Sequence, residues 1–142
     1  MRRSLVLLLA AAYSSNAAAA LCDASLEQRF NRARTVALVQ VEETDLRQWG
    51  KDSASLRVIA SWKGPYHAGA TLHAVPPVCG GYPCTAYPFR VGEIVLVFAR
   101  EYGELISPTP CSVIAEHDAE ALMPQLYKLS WAAGPNNRWK GP

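Results

Sequence analysis

Cys79 to Arg100, CGGYPCTAYPFRVGEIVLVFAR, is the stretch from which the rest of the chain can be read. Its first half belongs to a Pro- and Gly-rich loop, Pro76 to Gly92, bounded inside by Cys79 and Cys84. Its second half, Glu93 to Arg100, carries Ile94, Val95, Leu96, Val97 and Phe98 in succession. An apolar run of this length between turn residues is a strand covered on both faces. Such a strand needs partners within its sheet and cover on either side, and the flanking sequence must supply both.

Toward the N-terminus, Thr71 to Val75 reads as a strand between Gly69 and the Pro76-Pro77 stop. Leu56, Val58, Ala60 and Trp62 alternate with Arg57, Ser61 and Lys63, the period of a half-buried antiparallel strand, which Gly64 and Pro65 end. Asp45 to Ser53 is a polar loop. Before it, Thr35 to Glu43 sets Ala37, Val39 and Val41 on one face and Val36 and Leu38 on the other. Ser25 and Gln28 match a capping box for a short helix, Ser25 to Arg34, with Leu26, Phe30 and Ala33 in one stripe.

Toward the C-terminus, Tyr102 and Gly103 read as a hairpin turn into a strand over Glu104 to Ser107. Pro108 and Pro110 then lead to Cys111. Asp118 is placed to cap a helix through Leu122, Leu126 and Leu129 that Pro124 kinks or divides, with Trp131 packing against the barrel. Residues 131–142, closing on the Gly-, Pro- and Asn-rich Gly134 to Pro142, read as a flexible tail. Five short strands, a helix at either end and no βαβ alternation predict a mainly β, closed five-stranded barrel.

The 142 residues suit a single domain. Residues 1–20 read as a cleaved signal peptide: Arg2 and Arg3 form the positive region, Leu5 to Tyr13 the apolar region, and Ala18 to Ala20 the small residues before the cut. The domain is then 21–130, exported to the periplasm or the exterior, with no stable membrane insertion. Without Arg2 and Arg3, twelve basic residues balance twelve acidic ones. That balance argues against an electrostatic nucleic-acid binder, which needs a basic patch. Four cysteines, Cys22, Cys79, Cys84 and Cys111, in an oxidising compartment imply two disulfides.

No catalytic constellation stands out. Cys79 and Cys84 are four residues apart, not the two of a redox motif, and read as a structural pair. His67, His73 and His117 lack ligand spacing, so no metal of its own and no cofactor are expected. Glu42, Glu43 and Asp45 read as a solvated cluster at a strand end. The one aromatic concentration is Tyr82, Tyr87, Phe89 and Tyr66 with Trp62, which serves either core packing or contact with a protein or glycan.

The order Cys22, Phe30 and Ala33 on a short helix, a strand, the Trp62-Lys63-Gly64 turn, Cys84 to Phe89, Gly92, Leu96 to Ala99 and Cys111 resembles the netrin-like domain. Within it, the order is similar to bacterial proteins related to the tissue inhibitors of metalloproteinases. The resemblance covers Cys22 to about Ser112. It implies an OB-like barrel stapled by disulfides, no enzyme activity, and a protein partner touched through Cys22, Asp23, Gly80, Gly81, Tyr82, Tyr87 and Phe89. Three pairings of the cysteines are possible. Cys22 with Cys111 and Cys79 with Cys84 is preferred, and the resemblance keeps Cys22 with Cys84 open.

In the animal inhibitors a first-residue cysteine chelates a protease zinc through its α-amine and carbonyl, which here would require Cys22 to be N-terminal. Two departures stand against this. Asp23 and Ala24 follow Cys22 with no second cysteine, and cleavage after Ala20 leaves Leu21 first. Two functions are therefore expected: an inhibitor-like contact with an extracytoplasmic zinc metalloprotease, or a non-inhibitory interaction module of the envelope.

Overall fold

The computed structural model describes residues 22–79, 81–101 and 103–135, without the side chains of Cys79, Tyr82 and Pro83. The segment 1–20 expected to be a signal peptide, Leu21, Gly80, Tyr102 of the expected hairpin turn and 136–142 of the expected tail lie outside the described residues.

Helix α1 (Leu26–Arg32) opens on the expected capping box. The Gln28 backbone N–H donates to Ser25 Oγ at 3.2 Å, and the Ser25 N–H donates to Gln28 Oε1 at 3.0 Å. The chain then runs through β1 (Thr35–Thr44), β2 (Ala54–Lys63), β3 (Thr71–Ala74), a small hairpin of β4 (Val78–Cys79) and β5 (Tyr82–Pro83), β6 (Ile94–Ala99), β7 (Leu105–Ile106), β8 (Val113–Ala115) and α2 (Glu116–Ala132). One six-stranded sheet, in the order β7-β3-β2-β1-β6-β8, carries the fold, with β4 and β5 paired apart from it. All its ladders are antiparallel except β3 with β7.

The doubly covered strand is β6. Val95, Val97 and Ala99 face one apolar cluster with Val39, Val41, Leu56, Val58 and Leu72, while Leu96 and Phe98 face another with Phe30, Val36, Leu38, Trp62 and Leu126. Helices α1 and α2 cover the second face. Among the described residues no helix covers the first, and the sheet buries it by curling on itself, with Tyr66, Ala70, Tyr87 and Phe89 packed against it from loops. The curl also explains the connection from β7 to β8, which lie on opposite edges. A flat sheet of six strands spans about 24 Å between its edge strands, more than a segment containing a 3-10 turn (Pro110–Ser112) covers between Ile106 and Val113.

The sheet is a curled half-barrel and not a closed five-stranded barrel. No ladder joins β7 to β8 among the described residues. Pro108 and Pro110, between them, have no backbone donor to extend one. β8 is a strand the sequence reading omits, since three residues show no period. Leu105–Ile106 does not form a hairpin with β6; it adds parallel to β3, where His73 and Ala74 are its partners.

The alternation read along β2 also breaks. Leu38 pairs with Ala60 and Val39 with Val58, leaving Ile59 as an extra residue. This β-bulge shifts the phase, so Leu56 and Val58 face the curled side while Ala60 and Trp62 face the helices. Trp62, 1% exposed, meets Tyr127 of α2 edge to face at 6.2 Å. The strand ends at Gly64, where φ is +102° and an added Cβ would lie 2.9 Å from Thr35 Oγ1.

At the C-terminus, α2 is capped at Ala115 and not at Asp118, and its 17 residues run through Pro124 undivided. Pro124 is exposed, so its ring adds no buried clash and Leu126 still reaches the core. Trp131, expected to pack against the barrel, is 62% exposed. No helix among the described residues is long and apolar enough to cross a membrane.

Candidate functional site

The N-terminal segment is tied down twice. A disulfide joins Cys22 to Cys111 across 89 positions of sequence. From the first turns of α1, the Arg29 guanidinium reaches back to donate to the carbonyls of Cys22 and Ala24, both at 3.0 Å. Residues 22–24 are thereby held between α1 and the 107–112 segment. Cys84 is also disulfide-bonded; the side chain of Cys79, its expected partner, lies outside what is described.

Beside the Cys22–Cys111 bridge is a pocket of about 490 Å³. Four separate segments build its wall: Cys22 to Ala24, Arg29 to Ala33 on α1, Phe98 to Glu101 at the end of β6, and Ser107 to Ser112. Its charged side chains are Arg29, Arg32, Arg100, Asp23 and Glu101. The Glu101 carboxylate accepts from the backbone N–H groups of Arg100 and Ser107, each at 3.1 Å, and so turns the chain at the end of β6.

The aromatic loop is fixed to the same 107–112 segment from another direction. The Tyr87 N–H donates to the Pro108 carbonyl at 3.5 Å. Its phenol donates to Glu93 Oε1 at 2.6 Å, and its ring meets Phe89 edge to face at 4.8 Å. Burial, the hydrogen bond to Glu93 and the charge of that carboxylate push the Tyr87 phenol up to about 12, against a smaller opposing effect of Arg90. Tyr66, also pushed up by burial and then by Glu104, packs on the same face of the sheet.

Of the residues expected to contact a partner, Asp23 and Gly81 are exposed, while Cys22, Tyr87 and Phe89 are half-buried. Gly80 and the side chain of Tyr82 are outside the description. Trp62 does not join the aromatic concentration, because the bulge at Ile59 sends it to the opposite face.

The weaker candidates lie apart. His73 sits under Trp49, ring centroids 4.7 Å apart, with its Nδ1 buried and without a hydrogen bond among the described residues. His117 lies 3.2 Å from Asp118 on the exposed start of α2. Glu42 pairs with Arg57 at 3.1 Å, and Asp45 accepts from the Asp52 N–H at 2.8 Å to close its loop.

Sequence reasoning missed the arginine-lined pocket. The one available signal was Arg29 and Arg32 at i, i+3 on a short helix, which puts both on neighbouring positions of one face. Nothing in the pattern brings Arg100 to them. No protein-family model matches this chain, and no curated protein matches it in sequence.

Proposed function

We propose that this chain is an exported, non-enzymatic protein-binding domain of netrin-like type that meets its partner with the end bearing the Cys22–Cys111 bridge. The observation that carries this reading is the double anchoring of residues 22–24, by the disulfide and by Arg29, beside a pocket and an aromatic loop held to the same 107–112 segment. A segment fixed in advance loses little conformational entropy on binding, which favours a contact surface. The scattered histidines and the paired or loop-closing carboxylates support a binding role over a catalytic one.

Of the two contact modes, the non-chelating one is favoured. In the inhibitor mode the Cys22 carbonyl would coordinate zinc, yet here it accepts from the Arg29 guanidinium at 3.0 Å. A fixed cation at that distance opposes a divalent metal ion. The role is tested by placing a photo-crosslinking residue at Asp23 in the full exported chain, in cells of its source. A discrete extracytoplasmic adduct, absent when the residue is placed at Glu120 on α2, is expected. Adducts at Glu120 and none at Asp23 would move the interface elsewhere. A mature N-terminus at Cys22, together with inhibition of a zinc endopeptidase, would restore the chelating mode.

A further inference from the structure

The pocket beside the disulfide has a charge pattern that its internal contacts do not use up. Arg29 is committed to the Cys22 and Ala24 carbonyls. Glu101 is committed to two backbone N–H groups. Arg32 and Arg100 are exposed, and neither guanidinium makes a hydrogen bond or ion pair among the described residues. They line the pocket together with Phe98, which is 5% exposed and supplies an apolar wall. A guanidinium presents five N–H donors in a planar fork that fits a carboxylate in bidentate fashion, and an apolar wall strengthens such a contact by excluding water.

The size and sign of the charge narrow the ligand. Three arginines against Asp23 and Glu101 leave the lining one positive charge in excess. That excess matches a single anionic group. A nucleic acid or sulfated glycan needs a run of cations, and in this pocket it would meet two carboxylates. A volume of about 490 Å³ is within the range of small-ligand and side-chain pockets.

We infer that this pocket is a carboxylate-binding site, which takes an acidic side chain or a chain terminus of the polypeptide partner. The identity of the partner as a protein rests on the function proposed above; the site itself does not. Its test is a nuclear magnetic resonance titration of the full exported chain with small probes. These are N-acetylglutamic acid α-amide for a side chain, N-acetylglycine for a chain terminus, N-acetylglutamine α-amide as the neutral analogue, and sodium sulfate.

Saturable shifts centred on Arg32, Arg100 and Ser107 are expected with either carboxylate, and the stronger of the two identifies the source. The neutral amide should leave those resonances in place. The double variant R32Q/R100Q should weaken carboxylate binding roughly tenfold or more, since charge-assisted hydrogen bonds are lost. R57Q, which removes one charge at the Glu42 pair away from the pocket, should not. Equal shifts with the neutral amide, tighter binding of sulfate than of either carboxylate, or equal weakening by R57Q would each overturn the site. Carboxylate binding that R32Q/R100Q abolishes upholds the site even if Asp23 crosslinks to nothing. A crosslinked partner without carboxylate binding upholds the domain's role and overturns the site.

Discussion

At the scale of single residues, Tyr87 connects the aromatic loop to the sheet and carries a pH dependence. Its phenol donates to Glu93 Oε1 at 2.6 Å, while the other carboxylate oxygen accepts from the Arg90 N–H at 3.2 Å. The pair therefore closes the turn that feeds β6. In the unfolded chain a tyrosine titrates near ~10, whereas in the fold it is pushed up to about 12. Between these values the unfolded chain has released the proton that the folded chain keeps, so stability falls as pH rises through that window. Below pH ~10 the contribution is present in full. Tyr87→Phe should lower stability at neutral pH by about 1 kcal/mol through the lost hydrogen bond. It should also remove the highest-pH step of the tyrosinate absorbance titration and flatten the alkaline limb of urea unfolding against pH. An unchanged alkaline limb would assign that dependence to other groups.

At the scale of elements, the bulge in β2 decides which face of the sheet receives Trp62. Deleting Ile59 would let the pairs Val39 with Val58 and Leu38 with Ala60 follow one another in an unbulged ladder, so Ala60 and Trp62 stay on the α2 face. The deletion should therefore still fold, losing the packing of the half-buried Ile59 side chain alone, and should keep the near-ultraviolet circular dichroism of the buried Trp62. Ile59→Val keeps the extra residue and should cost no more than about 1.5 kcal/mol. Loss of the folded state in the deletion but not in Ile59→Val would show that the fold needs the bulge itself and not only the face it gives Trp62. The same element marks a limit of sequence reading. The phases of β1 as far as Val41 and of β6 were legible because their alternation is unbroken there, and α1 was legible from its capping box. A bulge inside an apolar strand has no local mark, β7 and β8 are too short to show a period, and Ala115 caps α2 without a side-chain hydrogen bond. The pocket was illegible for a further reason: its cationic side chains come from α1 and from the end of β6, which only the sheet order brings together.

At the scale of the whole molecule, the Cys22–Cys111 bridge ties the start of the domain to the segment between the sheet's two edges, and so joins the fold to the candidate site. It closes a loop with a sequence separation of 89, which in the chain-entropy view constrains the unfolded state by up to about 4–5 kcal/mol. The double variant Cys22→Ser, Cys111→Ser should therefore lower the thermal midpoint by roughly 10–20 °C while leaving the far-ultraviolet spectrum of the sheet in place, because none of its ladders includes either cysteine. Its local effect should be separable from this global one. With the covalent tie gone, residues 22–24 are held by the two Arg29 hydrogen bonds alone, so hydrogen exchange should quicken at Asp23 and Ala24 well before it does in β1 or β6. The pocket would lose one wall, and carboxylate binding should weaken along with that exchange. Quickened exchange throughout the sheet would instead make the bridge a global staple with no special hold on the site, whereas an unchanged midpoint would show that the non-covalent contacts of residues 22–24 suffice.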